Sequence, residues 1–298
     1  MEIALAPLMP ELPEVEALAT ALTVRLGGRV VTRCQLFSFA ALKTVDPKLA
    51  DLESRRVARV ARFGKQLGID FGDLWLVIHL ARGGWLRTAA PTAVGPTRRS
   101  GAALRLLLAP DLGVTPDLAL EVVEPGTEKR LGLWVTQSPT LVPGVATLGP
   151  DPLAADFSLP RFEQAIAHGN ATLKAALTDQ RRIAGIGNAY SDEILHRARL
   201  SPFQLTGRLK ADQRAALHSA VVAVLKEATE GALGAAGEAP TRHRREAFKV
   251  HGRAGLTCPE CHDQVRQVSY AQRALFYCPQ CQTGGRILAD RRMSRLLR

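Results

Sequence analysis

The sequence predicts a multidomain α+β protein: an N-terminal helix with an antiparallel β-sandwich, a helical domain and a C-terminal four-cysteine zinc segment. Three observations predict it. Apolar residues alternate in the first half, they recur at helical spacing in the second half, and four cysteines form two close pairs near the end. With 298 residues, the chain is long enough for more than one hydrophobic core.

The first predicted element is a helix that begins near Pro13. Proline suits the first turn of a helix, and the glutamates around it favour the positive helix end. Apolar residues then repeat at helical spacing from Val15 to Leu26, where two glycines end the pattern. The helix explains Pro13 and the acids, but it does not explain Pro10 and Glu11.

Strands are predicted where apolar residues alternate or form short runs between turn residues. A loop rich in Pro, Gly, Thr and Arg is predicted over 91–102. The predicted strands are 29–39, 57–71, 74–80, 104–108 and 133–136.

The second half has helical periodicity after a turn-rich stretch at Leu148–Pro152. Helices are predicted over 161–168, 171–178, 188–198 and 211–230, followed by a small-residue linker at 231–240. We therefore divide the chain into an N-terminal extension (1–8), a β-sandwich domain (9–147), a linker (148–160), a helical domain (161–236), a zinc finger (237–284) and a basic tail (285–298).

Charge points to a polyanionic partner such as nucleic acid. The net charge is +11, and residues 240–298 carry 12 Lys and Arg against 4 Asp and Glu. A solvated basic tail is the alternative interpretation for the last 14 residues. No apolar run reaches the length of about 18 residues that a membrane span needs, so we expect a cytoplasmic protein with no membrane partner.

Two glycines, Gly185 and Gly187, precede the predicted helix at 188. Backbone N–H groups at such a turn can bind an anion, and phosphate is the natural candidate. Asn188 either caps this helix or donates a hydrogen bond to the same phosphate. A well-capped helical hairpin without a ligand is the alternative.

The cysteine spacing is the strongest single signal. Two Cys-x-x-Cys pairs with 16 residues between them match four-cysteine zinc sites, and such a site is structural because four thiolates leave no open position. We expect one zinc ion and a reducing compartment. Cys34 is left over and is expected to be an inert buried thiol. Residues 271–274 should form the hairpin tip, presenting Arg273 to phosphate. The predicted ligands are Cys258, Cys261, Cys278 and Cys281.

Pro10 would be chemically unusual if it were the first residue of the chain. A free N-terminal proline is a secondary amine that can attack an aldehyde carbon and form an iminium ion. Glu11 would then be close enough to move protons for it. Because eight residues precede Met9, our hypothesis is that translation starts at Met9 and that its removal exposes Pro10.

These motifs together resemble the Fpg/Nei DNA glycosylases, that is, formamidopyrimidine-DNA glycosylase and endonuclease VIII. The resemblance covers nearly the whole chain from Met9, in the family's order of β-sandwich, helix–two-turn–helix and zinc finger. Residues around Leu12 and Val15 are more similar to the formamidopyrimidine branch. The segments that carry the resemblance are Met9–Glu16, Gly187-Asn188 with Tyr190 and Glu193, and Cys258–Gln282.

The resemblance implies a bifunctional DNA glycosylase and AP lyase of base excision repair, acting on duplex DNA with a damaged base or an abasic site. Pro10 matches the nucleophile that attacks C1′, and Glu11 matches the adjacent acid/base. Lys65 matches a lysine that contacts phosphate and assists β-elimination, although by itself it resembles an ordinary surface lysine. Arg273 matches the arginine that grips phosphate and supports δ-elimination, and Asn188 matches a phosphate ligand.

The chain departs from the family pattern in the residues that fill the space of a flipped base. Arg82, Arg130 and Leu131 stand where the family has methionine, arginine and phenylalanine. Leu131 is either an apolar wedge or a buried strand leucine. We count Lys174 among the DNA contacts as well, and His251 stands where the family more often has tyrosine.

Two other functions are compatible with parts of the sequence. A non-catalytic DNA-binding zinc protein would explain the extension and the changed wedge residues, but it has no need for Pro10, Glu11, Lys65 and Arg273 together. A zinc-ribbon RNA-binding or ribosome-associated protein fits the charge and not the first 150 residues. We expect a monomer, because no coiled-coil pattern occurs.

Overall fold

The structure, a computed structural model, describes residues 9–91, 101–125, 127–167, 169–234, 247–270 and 273–289. It divides into two compact units. Of the described residues, unit one comprises those up to Pro10 and those within 14–147, and unit two comprises Glu11–Pro13 and those from Leu148 onward.

Unit one contains, within its described residues, two antiparallel sheets of four strands each. The strands are β1 Val30–Leu36, β2 Arg59–Phe63, β3 Gln66–Asp70, β4 Trp75–His79, β5 Trp85–Ala89, β6 Ala102–Ala109, β7 Leu118–Val123 and β8 Gly132–Thr136. One sheet has the order β1-β6-β7-β5 and the other has the order β2-β3-β4-β8.

The inner faces of both sheets share one hydrophobic core with helix α1 (Leu12–Leu26). Alternate residues of a strand point to the same face, so the alternation seen in the sequence places one set of side chains inside. The core takes Val15 and Leu22 from α1, Leu67 and Ile69 from β3, Ile78 from β4, Leu104 and Leu106 from β6, and Leu133 from β8. A short helix, α2 (Pro143–Ala146), lies near the end of the unit.

One strand prediction for unit one was wrong, and two strands were missed. The run 57–71 is a hairpin of β2 and β3, not one strand, because the chain turns at Gly64, whose φ of +59° suits glycine. Strands β5 and β7 were not predicted. All six residues of β7 are buried, so it lacks the half-buried alternation that identifies a strand from sequence.

Unit two contains the predicted helices. They are α3 Leu159–Ala167, α4 Leu173–Thr178, α5 Asn188–Arg197 and α6 Ala211–Gly234. The linker predicted from residue 231 begins later, because α6 continues to Gly234; residues 235–240 lie outside the described chain. Among the described helices, none combines the length and apolar content that crossing a membrane requires.

The cysteine-containing end of unit two is a hairpin followed by a short helix. Strands β9 (Arg266–Tyr270) and β10 (Arg273–Tyr277) are antiparallel, and helix α7 (Pro279–Thr283) comes next. Arg273 is the first residue of β10. The predicted tip residues 271 and 272 lie outside the described chain, as do the basic tail from residue 290 and the extension 1–8.

Candidate functional site

The carboxylate of Glu11 lies on the backbone N–H groups at the start of α5. Its Oε2 accepts hydrogen bonds from the Gly187 N–H (2.6 Å) and the Tyr190 N–H (3.4 Å), and its Oε1 accepts one from the Ala189 N–H (3.0 Å). Glu11 is only 3% exposed. The first N–H groups of a helix have no partner within the helix, and the helix dipole makes that end positive. The turn therefore binds a carboxylate of its own chain.

Other atoms approach Gly185 and Gly187 so closely that neither position has room for a side chain. Gly185 has a φ of +88°, and a Cβ there would meet the side chain of Leu12. A Cβ at Gly187 would overlap the Glu11 carboxylate. The Leu12 N–H also donates to the Gly185 carbonyl oxygen at 3.0 Å. These contacts fix Glu11 and Leu12 against the turn.

The prediction that these N–H groups bind a phosphate is wrong for the donors that Glu11 occupies. Of the two alternatives for Asn188, the capping role is wrong, because Gly187 is the N-cap of α5 and Asn188 is its first helical residue. The Asn188 side-chain Nδ2 donates to the Ala274 carbonyl oxygen of β10 at 2.8 Å. Asn188 is half-buried and lies next to the strand that begins with Arg273.

Gln180 supports the same turn and was not identified from the sequence. Its Oε1 accepts from the Gly185 N–H at 2.9 Å, and its Nε2 donates to the Ile186 carbonyl oxygen at 2.8 Å. An isolated glutamine carries no sequence signal of this kind. Its role follows only from the way the turn folds back on α4.

Lys174 lies inside unit two. It is 4% exposed, and its Nζ donates to Asp192 Oδ1 and to the Asn188 carbonyl oxygen, each at 2.6 Å. The ammonium group is thus satisfied within the protein. This position does not support the predicted role of Lys174 as a DNA contact.

Lys65 and His79 are electrostatic neighbours in unit one. Lys65 lies in the turn between β2 and β3, and the next residue, Gln66, pairs with His79 at the end of β4. Burial lowers the pKa of His79, and the positive charge of Lys65 lowers it further, while Glu124 acts in the opposite direction. The two larger effects favour the neutral form of the His79 ring, a residue that sequence reasoning did not single out.

Glu124 fixes the loop that leads into β8. Its Oε1 accepts from the Arg130 N–H (2.8 Å) and the Leu131 N–H (3.0 Å). Arg130 is exposed, whereas Leu131 is 2% exposed and packs in the sandwich core. Of the two interpretations of Leu131, its position favours the buried strand leucine.

Arg82 is exposed in the turn between β4 and β5. The preceding residue, Ala81, has a φ of +51°, which is unusual for a residue with a side chain. A Cβ added at Gly83 would lie 3.6 Å from the Pro125 carbonyl oxygen, so this turn runs beside the loop that contains Glu124. The segments that carry Arg82 and Arg130 are therefore neighbours.

Four cysteine sulphurs form a cluster in unit two. All four lie within 4.8 Å of one another, with 3.9 Å between the sulphurs of Cys258 and Cys281 and 3.3 Å between those of Cys261 and Cys278. Zn–S bonds of about 2.3 Å in a tetrahedron place sulphurs about 3.8 Å apart. The cluster can hold a metal ion, and its donor set and spacing fit zinc.

His196 contacts this cluster from α5. Its Nε2 lies 3.3 Å from the sulphur of Cys258, and the side chain is buried. Burial lowers the pKa of His196. A neutral ring with its proton on Nε2 can donate to a thiolate, as residues behind metal ligands commonly do.

Cys34, the fifth cysteine, lies apart from the cluster in β1. Burial, together with the nearby charge of Glu53, raises the pKa of its thiol to about 12. The thiol form is unreactive at neutral pH, because the thiolate is the nucleophile.

Two family models match the chain. The formamidopyrimidine-DNA glycosylase N-terminal domain matches residues 9–114, and the formamidopyrimidine-DNA glycosylase H2TH domain matches residues 148–237. Formamidopyrimidine-DNA glycosylase of Symbiobacterium thermophilum is 32% identical, with 92% of this chain and 89% of the relative aligned. The chain belongs to the formamidopyrimidine-DNA glycosylase family. The resemblance deduced from the sequence is confirmed.

A further relative is shorter. A formamidopyrimidine-DNA glycosylase-like protein of Mycobacterium tuberculosis is 47% identical over 156 residues, which are 52% of this chain and 98% of the relative.

Solved structures of this glycosylase family share the fold. The MutM (Fpg) protein of Thermus thermophilus has a TM-score of 0.76 and 31% identity, covering 92% of this chain and 98% of the other. Lactococcus lactis Fpg, solved non-covalently bound to DNA that contains an AP site, has a TM-score of 0.79 and 25% identity, covering 92% and 99%. The predicted α+β fold class is confirmed.

Proposed function

We propose that this chain is a bifunctional DNA glycosylase and AP lyase of base excision repair, which removes oxidised or ring-opened bases through the amine of Pro10. The observation that carries the proposal is the position of Pro10 directly before Glu11, whose carboxylate is fixed on the first turn of α5. The match to the N-terminal family model begins at residue 9, which supports an active form with Pro10 as its N-terminal residue.

The proposed reaction begins with attack of the Pro10 nitrogen on C1′ of the damaged nucleotide. The bond between C1′ and the base breaks, and the base leaves with the electron pair and takes up a proton. The Pro10 nitrogen loses its own proton, which restores its lone pair. The sugar ring then opens as its ring oxygen gains a proton, which leaves an iminium ion between the Pro10 nitrogen and C1′. The target nucleotide must first leave the stack, because C1′ is not reachable inside the duplex.

Strand cleavage follows from the electron demand of the iminium ion. Loss of a proton from C2′ expels the 3′ phosphate by β-elimination, and a second elimination expels the 5′ phosphate. Hydrolysis of the remaining iminium ion returns the Pro10 amine. Glu11 is the group that moves protons at the amine and the sugar, and Lys65 assists the elimination.

The fixed carboxylate of Glu11 supports this role. Hydrogen bonds from α5 stabilise its negative charge and hold its orientation. Negative charge beside the reacting amine favours the iminium cation that forms there. Glu11 would thus contribute electrostatic stabilisation as well as proton transfer.

Phosphate binding is assigned to residues of both units. We propose Lys65, Arg82 and Arg130 as contacts from residues 9–147, and Asn188 and Arg273 as contacts from the helical domain 161–236 and the zinc finger 237–284. The excess of basic residues in 240–298 supports a polyanionic partner. We do not propose Leu131 and Lys174 as members of this set, because both side chains are buried.

We propose that the cysteine cluster holds one structural zinc ion. Cys258, Cys261, Cys278 and Cys281 would supply the four ligands, and no position would remain for a substrate. The ion would hold the β9–β10 hairpin, which carries Arg273. We propose a location in the bacterial cytoplasm, which a thiolate metal site and a DNA substrate support. We also propose that the protein acts as a monomer.

Borohydride trapping on a duplex with one abasic site tests the proposal. The protein is prepared in two forms, one with Pro10 as the N-terminal residue by mass and one that retains residues 1–8. We expect a stable covalent adduct with the first form only, because an amide nitrogen cannot form an iminium ion. Pro10→Gly should severely reduce strand cleavage while DNA affinity changes by less than about threefold.

The outcomes separate the candidate functions. An adduct with equal yield in both forms would exclude Pro10 as the nucleophile. The absence of any adduct, combined with tight and salt-sensitive binding, would favour a non-catalytic DNA-binding zinc protein.

A further inference from the structure

Asp192 and His251 form a buried pair between the helical part of unit two and its cysteine-containing part. Asp192 lies on α5, and His251 lies in the segment that precedes the first cysteine pair. His251 Nδ1 and Asp192 Oδ2 are 2.7 Å apart, and both side chains are buried. An aspartate in this environment needs hydrogen-bond partners, since an unpaired buried charge is costly.

The His251 ring has a fixed position. It makes edge contacts with Phe248 (5.4 Å between centroids) and with Phe276 of β10 (5.0 Å). Its backbone N–H donates to Glu193 Oε1 at 2.8 Å, and the Val250 N–H donates to the same oxygen at 3.0 Å. The ring therefore joins α5 to the strand that begins at Arg273.

The second oxygen of Asp192 continues the chain of contacts to Asn188. Asp192 Oδ1 accepts from Lys174 Nζ at 2.6 Å, and the same ammonium group donates to the Asn188 carbonyl oxygen at 2.6 Å. The Asn188 side chain donates to the Ala274 carbonyl oxygen. Asn188 is thus held through its backbone by this network and through its side chain by β10.

We propose that Asp192 and His251 are positioning residues for the phosphate grip formed by Asn188 and by the start of β10. They act without touching DNA: Asp192 holds Lys174 on the Asn188 carbonyl group, and it holds on α5 the His251 ring that contacts Phe276 of β10. This inference rests on the proposed function, because it concerns the way in which that function's phosphate ligands are held. It also gives Lys174 a role that its burial allows.

A merely structural role is the competing explanation. Replacing a buried ion network by well-packed apolar side chains often changes protein stability little. The melting temperature therefore cannot distinguish the two explanations, and another measurement is needed. Positioning predicts energetic coupling between His251 and Asn188. A structural role predicts independent, additive effects of the two substitutions.

The test is a double-mutant cycle with His251→Phe and Asn188→Ala. Phenylalanine keeps the aromatic ring between Phe248 and Phe276 and removes the hydrogen bond to Asp192. The measurement is the Kd for a duplex that carries a tetrahydrofuran abasic analogue, together with single-turnover cleavage of a duplex with a true abasic site. Circular dichroism and metal content confirm that each variant is folded.

His251→Phe should weaken binding about tenfold in the otherwise unchanged protein and less than about twofold in the Asn188→Ala background. His251→Asn can replace the Nδ1 donor, so its Kd should stay within about threefold of the unchanged protein. This second variant keeps the test valid if His251→Phe does not fold.

His218→Phe is the matched control. His218 also packs between two phenylalanines, Phe157 and Phe162, and its Nε2 lies 3.0 Å from the Phe157 carbonyl oxygen. This substitution removes a comparable hydrogen bond from an aromatic cluster that, among the described residues, makes no hydrogen bond or ring contact with Asn188. We expect binding within about twofold of the unchanged protein.

Two results would overturn the inference. Equal losses from His251→Phe in both backgrounds would show a structural role, and no loss in either would show no role. The proposed function fails separately: the unchanged protein would then neither bind the analogue nor cleave the abasic site.

Discussion

Glu11 Oε2 accepts a hydrogen bond of 2.6 Å from the backbone N–H of Gly187, 176 residues further along the chain. This bond joins the residue after Pro10 to the first turn of α5. Backbone N–H groups therefore orient the proposed proton-transfer group, and their position does not depend on side-chain rotamers. Gly187 has to be glycine because a Cβ would overlap the carboxylate.

Glu11→Gln tests this relationship. Glutamine keeps the shape but loses the negative charge, and its amide N–H groups would face the N–H donors of α5. We expect strand cleavage to fall by about 10²–10⁴-fold, as for loss of a general acid or base. The free energy of unfolding should fall by about 1–3 kcal/mol because N–H groups lose their acceptor.

The control for this substitution is Glu163→Gln, whose carboxylate pairs with Arg214 at a partly exposed position. We expect little change in cleavage or stability there. Single-turnover cleavage and urea unfolding measure both quantities. Unchanged cleavage by Glu11→Gln would remove Glu11 from the reaction.

Part of this site could be predicted from the sequence and part could not. Two glycines before a helix predict an anion site, and the anion site is present. The sequence could not identify the anion, because a carboxylate from Glu11 and a phosphate satisfy the same N–H donors. Only the folded chain brings Glu11 to Gly187.

Lys174 and Arg273 should respond differently to removal of their charge. Lys174→Met leaves Asp192 buried without its cation, so the free energy of unfolding should fall by about 3–5 kcal/mol. Arg273→Ala should leave stability unchanged and reduce the slope of log K against log salt by about 1, because one phosphate contact is lost. Urea unfolding and fluorescence anisotropy at several salt concentrations measure the two effects.

The reverse pattern would contradict the structure. A reduced salt slope for Lys174→Met, with stability unchanged, would mean that its ammonium group reaches phosphate in the complex. The sequence alone could not separate these two residues. Both are cations in predicted DNA-binding segments, and only packing shows that Lys174 lies against Asp192.

Leu131→Ala tests whether this leucine is a core residue. Its side chain is 2% exposed and packs in the sandwich core. The substitution should reduce the free energy of unfolding by about 2–5 kcal/mol, as for other buried leucines. Leu141→Ala is the matched control, because Leu141 is 68% exposed; its effect should stay within about 0.5 kcal/mol.

A wedge residue would give a different result. Leu131→Ala would then leave stability unchanged and reduce base excision at the damaged nucleotide. Sequence pattern could not decide between these alternatives, since an apolar residue before a strand suits both. The Glu124 carboxylate decides the local geometry by binding the N–H groups of Arg130 and Leu131.

The cysteine cluster was predictable because its spacing is local in sequence. The two Cys-x-x-Cys pairs flank one hairpin, so pairing of β9 with β10 brings all four sulphurs together. His196 was not predictable in the same way. It lies 62 residues before Cys258, and its contact depends on how α5 packs against the cluster.

His196→Leu should therefore weaken metal retention. Leucine fills the buried space but cannot donate to the Cys258 sulphur, and loss of such a partner typically costs about 10–100-fold in metal affinity. Zinc transfer to a chromogenic chelator measures the change. Arg197→Leu is the control, because its exposed side chain pairs with Glu227 and not with a cysteine. Equal zinc transfer rates for His196→Leu and Arg197→Leu would show that the His196 contact does not hold the metal site.

Complete removal of zinc should unfold the segment around β9 and β10 and abolish DNA binding. The sandwich of unit one should keep its melting transition.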